Sequence, residues 1–130
     1  NLFREVKDEK GITIIYITHD LATVYYLSDY IFIMYRCSII EHGSIQSVVD
    51  NPLHPYTQTL IKALPDYRRR KEWFKEEFKP PGIELKEFLI KGCKYANQCP
   101  HASTKCFKTR PPMVEVQEDH HIACWLFTKT

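Results

Sequence analysis

The sequence lacks a membrane-spanning segment, a secretory signal and a strong excess of either charge. No apolar run approaches the roughly 20 residues that a transmembrane helix needs. Residues 1–7 lack the basic start, apolar centre and small-residue cleavage site of a signal peptide. A formal charge of +2 is too small to indicate a nucleic-acid or anionic-membrane partner. With 130 residues, 44% of them apolar, we expect one average globular domain or two small ones.

The first third of the chain has the pattern of a parallel α/β sheet. A polar helical segment over residues 1–10 precedes a β-branched run at residues 12–18, which predicts a strand buried on both faces. Asp20 then caps a helix over residues 21–27. His19 is therefore predicted at the carboxyl end of a central strand, where open α/β sheets place ligand-binding residues.

The following residues predict an edge of such a sheet. Two strands, at residues 30–35 and 38–42, are joined by a turn at residues 36–37. A short helix follows, and a last helix spans about residues 54–64, with Pro55 suited to its first turn. These few strands cannot cover a strand that is buried on both faces. The pattern is typical of the end of a larger sheet.

Four of the five cysteines are clustered near the C-terminus, with five, six and seventeen residues between them. They are Cys93, Cys99, Cys106 and Cys124. Two disulfides, a zinc tetrahedron, an iron–sulfur cluster or packing alone would each explain four thiols. Structural zinc sites usually show ligand pairs two to four residues apart, although His101, His120 or His121 could replace a thiolate. Iron–sulfur clusters take four thiolates with varied spacing. Without an export signal we expect reduced thiols.

Several blocks of residues resemble the ATP-binding subunits of ABC transporters. GITIIYITHDL at residues 11–21 resembles the switch-histidine segment, and IEHGS at residues 40–44 resembles the end of a later strand. NPLHPYTQTL at residues 51–60 resembles the His-Pro-Tyr-Thr segment of the oligopeptide and dipeptide permease subfamily. The cysteines, together with Gly92 and the Arg-Pro-Pro at residues 110–112, resemble the C-terminal extension of that subfamily.

This resemblance implies an α/β fold in three parts. Residues 1–65 would form the C-terminal edge of an ABC-type P-loop ATPase sheet, residues 66–91 a linker, and residues 92–127 a small irregular cysteine-rich module. The resemblance also implies that the four cysteines hold a [4Fe-4S] cluster, with zinc as the alternative. We expect a structural role for the metal centre, because a module this small needs a metal or a crosslink to stabilise its fold. Redox sensing is the alternative.

The resemblance further implies ATP-driven import of oligopeptides or dipeptides by the intact subunit. His19 would lie at the γ-phosphate, where a donor stabilises developing negative charge. The subunit would lie peripherally at the cytoplasmic face of the cell membrane, beside a second ATPase subunit and membrane permease subunits, and it would serve an extracellular peptide-binding protein indirectly.

The sequence lacks the Gly-x-x-x-x-Gly-Lys-Ser/Thr phosphate loop, the ABC signature and the acidic strand end that bind ATP and magnesium. We therefore expect a C-terminal fragment that is inactive alone. The alternative is a stand-alone metal-binding interaction or regulatory module. The basic and aromatic residues at 67–75 are interpreted as a solvated linker or helix face rather than a nucleic-acid surface, because glutamates dilute their charge.

Overall fold

The main feature of the computed structural model is one four-stranded antiparallel sheet, with the strand order β1-β2-β4-β3. The structure describes residues 2–63 and 88–128. The strands are β1, Tyr30–Tyr35, β2, Ser38–Ser44, β3, Val114–Gln117, and β4, His120–Ile122. Strands β1 and β2 come from the ATPase-like part of the sequence, whereas β3 and β4 follow the first three clustered cysteines. The two parts of the sequence therefore build one sheet.

The predicted helices before and after β1 and β2 are confirmed by the structure. The described helices are α1, Leu2–Lys10, α2, Leu21–Leu27, α3, Ile45–Asp50, α4, Pro55–Lys62, and α5, Thr104–Lys108. At the start of α3, the Ser44 hydroxyl accepts a hydrogen bond from the Ser47 amide at 3.2 Å. Such side-chain acceptors satisfy amides that have no partner within the helix. None of the described helices is long and apolar enough to cross a bilayer.

The hydrophobic core lies on one face of the sheet and is shared by both parts of the sequence. Ile31, Ile33 and Tyr35 alternate toward this core along β1. The Tyr35 ring lies 4.6 Å from the ring of Tyr56 in α4 and 5.3 Å from that of Tyr95 in the cysteine-rich segment, between ring centroids. Aromatic pairs at such distances contribute beyond the area that they bury. The cysteine-rich segment is thus packed into the core of the sheet.

The strand predicted over residues 12–18 is wrong. These residues form neither a strand nor a helix, and the side chains of Ile15 and Ile17 are 87% and 90% exposed. A strand needs neighbours that accept and donate its backbone hydrogen bonds, and none of the four described strands pairs with this segment. His19 consequently lies on an exposed loop and not at the end of a central strand.

The described residues form a small α/β fold that is compatible with the predicted edge of a larger ATPase sheet. Residues 64–87, which contain most of the predicted linker and the basic and aromatic residues at 67–75, lie outside the described part of the chain. The division into residues 1–65, 66–91 and 92–127 stays a prediction.

The turn between β1 and β2 places two non-glycine residues in the left-handed backbone region. Arg36 has a φ of 45° and Cys37 a φ of 60°. Type I′ hairpin turns need positive φ at both central residues and therefore favour Asn-Gly. The Arg36 guanidinium lies over the rings of Tyr35 and Phe88, 5.3 Å from each centroid. These cation–π contacts help to hold the turn in its strained conformation.

We expect Cys37→Gly to raise the free energy of unfolding by roughly 0.5–1 kcal/mol. Removing the Cβ relieves left-handed strain of about 1–2 kcal/mol, which exceeds the entropy that glycine adds to the unfolded chain. Urea unfolding measures the change. Cys37→Ser is the matched control, since it keeps the Cβ and should change stability little. Equal effects of the two substitutions would contradict the strain.

Candidate functional site

The four clustered cysteines line one cavity with a volume of about 110 Å³. The remaining wall is largely apolar and also carries two histidines. The lining residues include Cys93, Cys99, Cys106, Cys124, His54, His101 and Ser103. The structure therefore brings together the four residues that the sequence singled out. We refer to this space as the cysteine cavity.

Close backbone packing holds two of these cysteines side by side. The Cys93 amide donates to the Cys106 carbonyl oxygen at 2.7 Å. A Cβ placed on Gly92 would overlap that same carbonyl oxygen, so only glycine allows this approach. The hydroxyl of Ser103, which precedes α5, lies 3.4 Å from the Cys106 sulfur. The Gly-Cys pair of the motif is thus explained by backbone contact.

Burial favours the protonated thiols of Cys93, Cys99 and Cys124. It raises the pKa of Cys93 and of Cys99 above the usual range, with the neighbouring thiols adding to the rise. Burial also raises the pKa of Cys124 to about 11, although a hydrogen bond from the Leu126 backbone opposes the change. A neutral thiol is neither a good nucleophile nor a metal ligand. All five cysteines of the chain are free thiols in the structure.

The description of this module as iron–sulfur or metal-binding needs correction. Among residues 2–63 and 88–128, no group of three or more histidine, cysteine, aspartate or glutamate side chains could hold a metal ion. The thiols surround a cavity with a largely apolar wall, and they do not form a ligand set. The cysteine spacing alone could not show this, because ligand geometry depends on how the intervening backbone folds. The described residues therefore do not support the iron–sulfur and metal-binding description.

Glu41 connects the sheet, α4 and β4 through its buried carboxylate. Its side chain is 0% exposed. One oxygen, Oε1, accepts from the Leu53 amide at 2.8 Å and from His120 Nε2 at 2.7 Å, while Oε2 accepts from the His54 amide at 2.9 Å. A buried carboxylate is tolerated only when its oxygens are paired in this way. The His120 side chain is also 0% exposed.

His54 links Glu41 to the cysteine cavity. Its backbone amide contacts Glu41, and its ring Nδ1 accepts from the Tyr56 amide at 3.1 Å, so the side chain caps α4. The residue is 1% exposed and lines the cavity. Burial lowers the pKa of His54 to about 4, although the Glu41 carboxylate raises it. His54 is therefore a neutral imidazole at physiological pH.

His19 lies away from the cysteine cavity, on the exposed loop before α2. The Thr18 hydroxyl accepts from the Asp20 amide at 3.0 Å. Asp20 Oδ1 in turn accepts from the Thr23 amide at 3.5 Å, and the other carboxylate oxygen contacts the Thr23 hydroxyl. The predicted helix cap at Asp20 is confirmed. The predicted phosphate contact and the cysteines thus belong to separate sites.

The sequence did not identify Glu41 and His54 as residues of the site. The three histidines that it offered as possible ligands lie in three different places. Glu41 and His54 lie in motifs that were noted, but nothing local shows that these motifs touch. His101 lines the cavity, whereas His120 bonds to Glu41 and His121 packs in the sheet. One feature of the sequence could have indicated Glu41: it is a charged residue that interrupts an apolar strand two residues before a glycine.

Comparison with known families identifies the class of protein. Residues 40–106 match the family described as the oligopeptide/dipeptide transporter, C-terminal region. The matched segment runs from β2 through α4 to Cys106 in α5, and it includes Glu41 and His54. It covers about half of the chain, and the chain belongs to this family.

Individual relatives are ATP-binding proteins of peptide transport. The chain is 36% identical to a probable peptide ABC transporter ATP-binding protein, y4tR, of Sinorhizobium fredii over 95% of its own length and 37% of that protein. It is 33% identical to the oligopeptide transport ATP-binding protein AppF of Bacillus subtilis, over 98% and 39%. It is 34% identical to the oligopeptide transport ATP-binding protein OppF of Salmonella typhimurium, over 95% and 37%. The chain thus spans less than two fifths of these relatives.

We expect the free energy of unfolding to fall as the pH is lowered from about 6.5 toward 4. Because burial lowers the pKa of His54 to about 4, the unfolded chain binds a proton in this window that the folded chain does not. The stabilisation is complete above pH 6.5 and is lost as the pH falls, by about 2–3 kcal/mol. Urea unfolding at pH 7.0 and pH 4.5 measures the loss.

The matched control for this pH dependence is His54→Asn. Asparagine keeps a side-chain oxygen for the helix cap but cannot titrate in this range. The variant should lose distinctly less stability than the unmodified chain between the two pH values. Equal losses would show that His54 is not the titrating group.

Proposed function

We propose that this chain is the C-terminal part of an ATP-binding subunit that couples ATP hydrolysis to the import of oligopeptides or dipeptides. The observation that carries the proposal is the contact between two motifs of the matched family segment. Glu41, in the IEHGS phrase, accepts the amide of His54, in the His-Pro-Tyr-Thr segment, at 2.9 Å. The similarity to ATP-binding proteins of peptide and oligopeptide transport supports the substrate class.

His19 is proposed to contact the γ-phosphate of ATP in the intact subunit. Its side chain is exposed on a short loop that the Asp20 cap fixes to the start of α2. An imidazole donor at such a position stabilises negative charge that develops during phosphoryl transfer. The phosphate-binding loop and the magnesium ligands would come from parts of the subunit that this sequence does not contain.

The partners follow from the proposed activity. An ATP-binding protein of a transporter needs membrane permease subunits through which the peptide passes, and in this class of transporter a second ATPase subunit completes the ATP sites. The subunit would lie peripherally at the cytoplasmic face of the membrane. Peptide delivery would depend on an extracellular binding protein that this subunit does not touch.

The cysteine-rich segment is proposed to have a structural role in the subunit. Cys93 and Cys99 pack against the hydrophobic core, and Tyr95 between them is part of it. Strands β3 and β4 extend the sheet of the ATPase-like part. These shared elements favour a joint role in one subunit over a stand-alone interaction or regulatory module.

A chimeric subunit tests the proposed function. This chain replaces the matching C-terminal segment of AppF in Bacillus subtilis cells that lack AppF, and uptake of a labelled oligopeptide is measured. We expect uptake to be restored, and His19→Ala to reduce ATP hydrolysis by the purified chimeric transporter about a hundredfold, as for loss of one transition-state donor. His101→Ala, which removes a histidine from the other site, is the control and should change hydrolysis little.

A chimera that is produced at the normal level and reaches the membrane, yet imports no peptide, would contradict the proposed function. Full hydrolysis by the His19→Ala chimera would contradict the role of His19 alone, because the peptide-transport assignment does not depend on that residue. Protein levels in the membrane fraction are measured by immunoblotting in each strain.

A further inference from the structure

A row of side chains crosses the sheet on the face opposite the core. Phe32 of β1, His42 of β2, His121 of β4 and Glu115 of β3 are direct partners in the strand register. The His42 and His121 rings stack with centroids 4.5 Å apart and planes 11° apart. The Phe32 ring stacks on the other side of His42 at 5.0 Å and 27°. We call the two imidazoles the histidine pair.

The histidine pair bridges the junction between the two parts of the sequence. Strand β2 belongs to the ATPase-like part and β4 to the C-terminal part, and only three residue pairs connect these strands. The short β4, His120–Ile122, is the strand through which the β3–β4 hairpin joins the rest of the described sheet, and the Asp119 carbonyl in the turn accepts from the Ser44 amide at 3.1 Å. Attraction or repulsion between the His42 and His121 rings therefore directly affects the pairing of β2 with β4.

One tyrosine and two carboxylates lie near the histidine pair. The Tyr30 hydroxyl lies 2.8 Å from His42 Nδ1. The Tyr30 pKa is raised by burial and then by the negative charges of Asp119 and Glu115, which shows that both carboxylates are near this face. Glu115 is exposed and is the register partner of His121. It can offset one positive charge on the pair, but only weakly because solvent screens it.

His120 and the ring nitrogens of His121 complete the surroundings of the pair. His120 is adjacent in sequence to His121, but its ring contacts Glu41 on the core side of the sheet. His121 Nδ1 is buried and has no hydrogen-bond partner in the described part of the chain. Either neutral tautomer of His121 therefore leaves this buried nitrogen unpaired, which is costly.

We propose that the histidine pair is a pH-sensitive latch, which holds β4 against β2 while the rings are neutral and releases it when both rings are protonated. Neutral rings stack favourably across the two strands. Two protonated rings 4.5 Å apart would place like charges face to face, and this is destabilising at directly opposed positions. The exposed Glu115, the register partner of His121, offsets only part of this repulsion. Release would separate the C-terminal hairpin from the ATPase-like part.

The direction of the pH response follows from the lowered pKa of His42 in the latched state. Burial, followed by the charges of His121 and His120, lowers the pKa of His42. The open state therefore binds more protons than the latched state below pH about 6.5. The latch is fully effective above that pH and weakens as the pH falls.

Backbone amide exchange in the 130-residue chain tests the latch. Protection factors of the β4 amides, corrected for the intrinsic effect of pH on exchange, are compared at pH 7.5 and pH 5.5. We expect them to fall about tenfold in the unmodified chain, because the open state takes up protons that the latched state does not. His121→Phe keeps a stacked ring without the second charge, and its protection should fall distinctly less than that of the unmodified chain.

Two further variants make the test specific. His19→Gln removes an exposed histidine outside the row and should respond to pH like the unmodified chain. If the phenyl ring of His121→Phe lowers β4 protection at pH 7.5, His121→Gln is used in its place. Glutamine is neutral and can form hydrogen bonds. Amides of α4 report separately on the titration of His54. The proposal is overturned by pH-independent β4 protection in the unmodified chain, or by an unchanged tenfold loss in the neutral His121 variants.

Discussion

The buried carboxylate of Glu41 is the interaction on which the described structure most depends. Its two oxygens accept hydrogen bonds from Leu53 and His54, which lead into α4, and from His120 in β4. No other described side chain joins all three elements in this way. Because each of these donors is taken out of water, the loss of one acceptor would leave a buried donor unpaired. The family motifs meet at this single group.

The same junction explains why glycines stand in two of the motifs. A Cβ on Gly43 would overlap the Asp119 carbonyl oxygen in the β3–β4 turn, and a Cβ on Gly92 would overlap that of Cys106. Both glycines lie where distant parts of the chain pack backbone against backbone. The glycines of the Glu-x-Gly and Gly-Cys motifs thus allow the C-terminal part of the chain to pack closely against its neighbours. Stability and the position of the cysteine cavity depend on the same contacts.

Local elements were predictable from the sequence, whereas contacts between distant segments were not. The Asp20 cap, the turn at Arg36 and the helix beginning at Pro55 depend on neighbouring residues, and the structure confirms them. The strand over residues 12–18 failed because a strand also needs partners along its length. The pairing of Glu41 with His120 spans 79 residues, and no spacing rule predicts it. Clustering predicted that the cysteines converge, but no group of side chains in the described part of the chain could hold a metal ion.

The measurement that tests this account most directly is the free energy of unfolding of Glu41→Gln at neutral pH. The amide places a donor where a second acceptor is needed, so we expect a loss of about 3 kcal/mol and loss of protection in the β4 amides. Glu118→Gln, which changes an exposed carboxylate in the β3–β4 turn, is the matched control. A loss below about 0.5 kcal/mol, or one equal to that of Glu118→Gln, would contradict the central role of Glu41.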